Sequence, residues 1–489
     1  MTQTSSRLNM LTLVMHHEWK LLRADRSLAL VLGLLALMIG YGFYNGLKET
    51  QVRDQMVATV IKSEAAVAKA NLESLRQVNA GTLKPGPFDN PANPATIGNG
   101  SGRHAVIHSA ALAPIAIGQS DMMPNYYRIG TRSKVEFMYD SEIESPWNLL
   151  SGHFDLGFIM VFLLPLLIFA LTYNLLSSER EAGTQRMLLS QPLSIGTLVA
   201  GKLLVRAIAV LLVASLLPII LLLLFRPEIR AASQIGGLLL WSGLIVGYGA
   251  FWFALAFAVN SLRLSSAANA LILIASWTML VLVVPVLLNL LAEQVSPAPS
   301  RTELAIQTRV IQADNLRRYD DLFSGDYRYI DEPESLLAKS GRIEVPERTR
   351  ASFLARRDMD RRIDILLDRF DEQLEQQQSV VDRTSFTSPA IILYEGLTAI
   401  AGTDGRRYLA FRQDVSAFHD RWRRFFEPRV LNGIAMTEQD LLALPEWRRA
   451  ERTVTDVMQD NLWRLALLLC TAVIIAIIGS LTLRRYRLA

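Results

Sequence analysis

The sequence predicts a mainly α, polytopic membrane protein with six transmembrane helices. It adds an amphipathic N-terminal interfacial helix and two large, mostly helical extracytoplasmic segments. Three observations carry this prediction. The chain of 489 residues is 51% hydrophobic, and its mean hydropathy is +0.24, too apolar for an ordinary soluble protein of this length. The apolar residues gather in six nearly uncharged runs, each of about 20 residues and so able to cross a hydrocarbon core about 30 Å thick. Lys and Arg gather in alternate connections, which the positive-inside rule assigns to the cytoplasm.

Residues 1–27 form the leading amphipathic segment, in which Leu8, Leu11, Val14, Leu21 and Leu22 mix with His16, His17 and Lys20. Glu18, Trp19 and Arg23 are the residues expected to hold this helix at the membrane interface. The alternative is an ordinary helical extension of the first span. The six spans are 28–47, 156–176, 204–225, 238–260, 270–292 and 463–483. Their cores carry Asn, Ser, Thr, Tyr and Trp but essentially no ionisable group, with Asp155 and Arg464 at span edges. A proton relay would need such groups. Pro165 and Pro285 are positions where spans kink. Gly243, Gly247, Ala250 and Ala254 place small residues along one face of the fourth span, which favours close helix packing, with a hinge as the alternative.

The connections divide unevenly. Residues 48–155 form the first extracytoplasmic segment, helical in composition over 50–79 and loop-like over 81–103, where Gly, Pro and Asn are dense. Residues 293–462 form the second, with a helical stripe over 356–378 and another amphipathic helix over 406–428. The stretch 388–402 is apolar but too short to span, and it docks on the outer leaflet or inside the outer domain. Signals for strands are weak. Residues 177–203 form a cytoplasmic loop, and 484–489 a basic cytoplasmic tail holding Arg484, Arg485 and Arg487. The first span is read as a retained anchor because its leader is long and no A-x-A site follows. Cys470 is the one cysteine, so the outer segments fold without disulfides.

Enzyme motifs fare poorly. His16, His17 and Glu18 lack the H-e-x-x-h spacing of a zinc helix. His104 and His108 sit four apart, the spacing of one helix face, with no third ligand evident. The stretch 196–203 matches G-x-x-x-x-G-K, but Leu203 stands where a phosphate-binding loop needs Ser or Thr. Lys202 instead marks the inner end of the third span. No site for a cofactor or metal is read in this chain, and nothing points to nucleic acid.

The informative stretch is "SSEREAGTQRMLLSQP", residues 177–192, between the second and third spans. Glu179, Arg180 and Glu181 are polar, Gly183 and Thr184 offer a turn, and Met187, Leu188 and Leu189 offer an apolar face that Pro192 stops. A short amphipathic helix here would insert into a groove on a soluble partner, with its acids placed to suit the helix dipole. The bland alternative is a solvated loop.

The run 169–204 resembles the signature of ABC type-2 permeases, membrane subunits of ATP-driven exporters. Glu179, Glu181, Gly183, Thr184, Leu188, Leu189, Pro192 and Lys202 match that pattern in order, and "HEWKLLRADRS" resembles the family's amphipathic leading helix. The stretches 116–124 and 388–411 look like a subgroup with a large extracytoplasmic insertion. The resemblance implies a non-catalytic homodimer or heterodimer in the bacterial inner membrane, both termini cytoplasmic, each half resting on a cytoplasmic ATPase subunit that binds ATP and magnesium. It makes 177–192 the coupling helix, with 261–269 as a second contact. Uncharged spans suit an amphipathic or lipid-like, peptide or metabolite cargo. The competing expectations are a force-transmitting complex acting on a periplasmic partner, and a scaffold without an ATPase.

Overall fold

The computed structural model of this chain describes residues 2–86, 89–138, 154–183, 194–297, 300–323 and 337–484. The fold is mainly α, and among the described residues six helices are long and apolar enough to cross a membrane. The N-terminal helix, Thr2–Asp25, ends at Arg26, whose left-handed φ of 59° turns the chain into span 1. Span 1 is one helix, Ser27–Asn79, of 53 residues. At about 1.5 Å per residue it is roughly 80 Å long and projects well beyond any bilayer. The apolar run and the following polar stretch fuse because no Gly or Pro separates Lys48 from Asn79.

Spans 2 to 6 are Leu156–Glu181, Ile195–Phe225, Ala232–Asn260, Ser266–Val295 and Val454–Arg484. Span 4 is the axis of the bundle, with Trp241, Leu244, Ile245, Tyr248 and Trp252 fully buried. The two prolines share a local device. Each follows a π turn, Ile159–Leu163 before Pro165 and Thr278–Val283 before Pro285. Proline supplies no amide hydrogen, so a carbonyl one turn earlier loses its partner. The Tyr248 hydroxyl donates to the Val161 carbonyl at 2.7 Å, and the Ser388 hydroxyl to the Leu280 carbonyl at 2.7 Å. Neighbouring elements thus satisfy backbone that water cannot reach.

Beyond one end of the bundle, both long connections join in a single head. Its centre is the helix Gly405–Leu431, which buries Phe411, Phe418, Trp422 and Phe426 along one side. Trp422 Nε1 donates to the Gly98 carbonyl at 2.9 Å, tying this helix to the first connection. Two short antiparallel strands, His104–Val106 and Tyr126–Arg128, pair with Ala105 opposite Tyr127. His104 therefore lies on a strand and shares no helix face with His108, as the absence of a third ligand already disfavoured a metal site there; its Nδ1 lies 3.2 Å from Glu64. Helices Arg301–Phe323 and Glu347–Thr384 pack as a hairpin through Leu304, Ile311, Met359, Ile363 and Leu367. Asp360 binds Arg423, the Ser133 hydroxyl and the Lys134 amide, while Lys134 Nζ sits 3.1 Å from both Asp364 and Asp420. Burial alone would lower the Lys134 ammonium, but those two carboxylates outweigh it and raise it.

The apolar stretch near 388–402 takes neither expected place. It forms the helix Pro389–Ala401, whose Leu393 and Leu397 are fully buried in the same apolar core as spans 2 and 4. The head thereby sinks a short helix into the mouth of the bundle. Ser388 starts it, accepting from the Ile391 amide, and Gly402 ends it with φ of 69°. A mostly apolar helix of thirteen residues finds a low-energy place between helices as readily as at a lipid surface, so composition alone could not choose.

Candidate functional site: the elbow and its staples

Span 2 loosens before the elbow. Its chain passes through a turn at 173–176 before the last helical stretch Ser177–Glu181. The freed carbonyls find side chains on spans 4 and 5. Asn260 Nδ2 donates to the Thr172 carbonyl at 2.9 Å, and Asn269 Nδ2 to the Tyr173 carbonyl at 3.1 Å.

The charged triplet that follows turns toward its own chain. Glu179 forms an ion pair with Lys202 of span 3. Arg180 donates to the carbonyls of Arg263 and Leu264 at 2.6 and 2.7 Å, closing on the loop between spans 4 and 5. Glu181 accepts from the Ser266 amide at 2.8 Å and its hydroxyl at 2.9 Å, an anionic cap on the first turn of span 5. Gly183 has φ of 71°, so the turn expected at this glycine uses a conformation that other residues resist. Thr184, Met187, Leu188, Leu189 and Pro192 lie outside the described residues.

The N-terminal helix closes the other side. Val14, Glu18 and Leu22 are buried at four-residue spacing, while Trp19 and Arg23 face outward. Glu18 Oε1 lies 2.6 Å from Nη2 of Arg206 on span 3, both side chains being at least nine-tenths buried. One turn earlier on span 3, Gly201 accepts Val14 so closely that a Cβ there would lie 2.5 Å from Val14 Cγ1. Arg206, at the inner edge of the predicted third span, is an ionisable group that the sequence reading did not single out. It escaped notice because one cation at the end of a long apolar run reads as flanking charge. Glu18, already placed on the helix, is its partner.

The small residues of span 4 meet span 6. A Cβ on Gly243 would lie 3.2 Å from Leu465 Cδ2, and one on Gly247 3.3 Å from both Leu465 Cδ1 and Leu468 Cβ. Ala254 is buried and Ala250 half-buried. These positions serve packing within this chain.

At the opposite end lies a second feature that sequence reasoning missed. A cavity of about 1780 Å³ opens beneath the head, between spans 2, 5 and 6 and the sunken helix. Arg464 of span 6 reaches Glu395 of that helix at 2.8 Å. The available signal was a single acid within an apolar stretch and a single Arg at the start of the last apolar run. Among the described residues, no cluster of three metal-ligating side chains is found.

Comparison with known proteins adds an independent finding. Residues 151–305 match the family described as ABC-2 family transporter protein, and residues 348–449 match a domain of unknown function, DUF3526. A probable ABC transporter permease protein NosY of Pseudomonas aeruginosa is 33% identical over 107 residues, covering 21% of this chain and 38% of that relative. The chain thus spans well under half the length of that curated relative.

Proposed function

We propose, from the match of residues 151–305 to the ABC-2 transporter family, that this chain is an ABC type-2 permease, the membrane subunit of an ATP-driven exporter. In this reading the elbow faces the cytoplasm, as the basic residues at that end imply. Both termini are cytoplasmic, the head is periplasmic, and the chain sits in a bacterial inner membrane. A separate ATPase binds ATP and magnesium, and a second permease copy or a related permease completes the assembly. An amphipathic, peptide or metabolite cargo moves across the inner membrane.

The observation that carries the reading is the set of staples around the elbow. Glu179, Arg180 and Glu181 connect the end of span 2 to span 3, to the loop after span 4 and to span 5. A push on residues 184–192 from a partner therefore reaches three spans at once. Only contacts that differ between two ATPase states can transmit such work. The charged triplet acts here as the mount, and the apolar Met187 to Leu189 as the contact.

A second reading rests on a different observation. Span 1 runs without a break into the head, and the sunken helix packs against spans 4 and 6. Rigid connections of this kind suit a complex that moves its head against an envelope partner without cargo crossing. The test common to both is crosslinking. With Cys470→Ser as background, Leu188→Cys is expected to crosslink to the ABC ATPase produced together with this chain. No crosslink in membranes that contain both proteins would defeat both readings. Cargo in the purified complex separates the first from the second.

A further inference from the structure

The cavity beneath the head has a divided lining. Its membrane side is apolar, with Phe158 and Phe162 of span 2, Val281 and Leu288 of span 5 and Met458 of span 6. Its head side carries charges of both signs, several of them paired. Asp382 pairs with Arg406, Glu451 with Arg407 at 2.8 Å, and Asp460 with Arg452. Where the two sides meet, Arg464 pairs with Glu395.

Arg464 is 5% exposed and lines the cavity. One terminal nitrogen reaches Asn461 and the other Glu395, so the guanidinium is held in place at the cavity wall. The volume exceeds the roughly 300–1,000 Å³ of an ordinary small-molecule pocket.

From this geometry we infer that the cavity binds a zwitterionic phospholipid of the head-side leaflet, its acyl chains among Phe158, Phe162 and Leu288 and its head group on the Glu395–Arg464 pair. The phosphate lies on the Arg464 side of the pair, and the ammonium on the Glu395 side. A wholly apolar ligand leaves the charged wall unmatched. A ligand with several charges of one sign meets about as many like charges as opposite ones, because the wall carries both signs in near-equal number. The assignment deepens the permease reading by naming the class of molecule it handles.

The experiment uses the full chain in nanodiscs without any ATPase, so its failure leaves the coupling reading standing, and failure of coupling leaves the site standing. Phosphatidylethanolamine with a diazirine at the acyl terminus is photolysed in phosphatidylglycerol nanodiscs. The reciprocal sample carries labelled phosphatidylglycerol in phosphatidylethanolamine nanodiscs. The expected result is adducts on Phe158, Phe162 or Leu288, about tenfold more from the ethanolamine probe, as one charge-assisted hydrogen bond supplies. In the double variant Glu395→Gln/Arg464→Gln, which leaves no unpaired charge behind, that preference disappears. Adducts confined to the outward-facing Leu271, Leu287 and Ile474, or equal cavity labelling by both probes in the unsubstituted protein, would overturn the inference.

Discussion

The buried pair between Glu18 and Arg206 offers the sharpest test of how the N-terminal helix is held. Replacing Glu18 with Ala removes the partner of a guanidinium that lies under the helix. At the observed 2.6 Å the gross attraction is 332/(20 × 2.6), about 6 kcal/mol at an effective dielectric of about 20. Desolvation cancels much of that, but removing one partner leaves a buried charge uncompensated, which costs about 3–5 kcal/mol. The double variant Glu18→Ala/Arg206→Met removes both charges and keeps most of the volume, so it should recover most of the loss. The assay is reversible unfolding of purified protein in mild detergent, with exchange of the Val14 to Leu22 amides followed in parallel. A loss below about 1 kcal/mol, or a double variant no more stable than the single one, would refute the claim that this pair anchors the helix.

Two further outcomes follow from individual side chains. Glu181→Ala removes the cap on span 5, so amide exchange from Ser266 to Asn269 should rise several-fold while span 4 is unchanged; equal protection would show that Ser265 alone starts that helix. Asp121 sits in the head, where burial pushes its carboxyl up to about 6 despite Arg53 at 3.6 Å. A carboxyl raised on folding favours the fold below its unfolded value near 3.8, and that contribution is lost as pH rises through about 6. Asp121→Asn should therefore flatten the stability profile between pH 4 and 7, by roughly 3 kcal/mol at most. An unchanged profile would remove Asp121 as its cause.

The spans were legible because a bilayer demands long apolar runs, and each run signals itself locally. The elbow was legible for the same reason, since its Glu-Arg-Glu triplet and Gly183 stand out between two such runs. What the triplet touches was not. Glu179, Arg180 and Glu181 meet Lys202, the 263–264 carbonyls and Ser266, contacts that depend on how three spans are arranged. The union of the two long connections was hidden likewise, because Asp360 and Lys134 stand far apart in sequence. Strands of three residues carry too little pattern to detect. The sunken helix Pro389–Ala401 was recognised as apolar and too short to span, and only its neighbours on spans 4 and 6 decide where it lies.

The central claim is that this chain has no engine and takes motion through residues 177–192 from a partner that hydrolyses ATP. The most direct measurement is ATP hydrolysis by the purified partner, with and without this chain, in lipid. The account predicts that the intact chain changes the partner's rate and that Leu188→Asp, inserted in the membrane normally, abolishes the change. Hydrolysis by this chain alone, or a Leu188→Asp variant that affects the partner as the intact chain does, would contradict it.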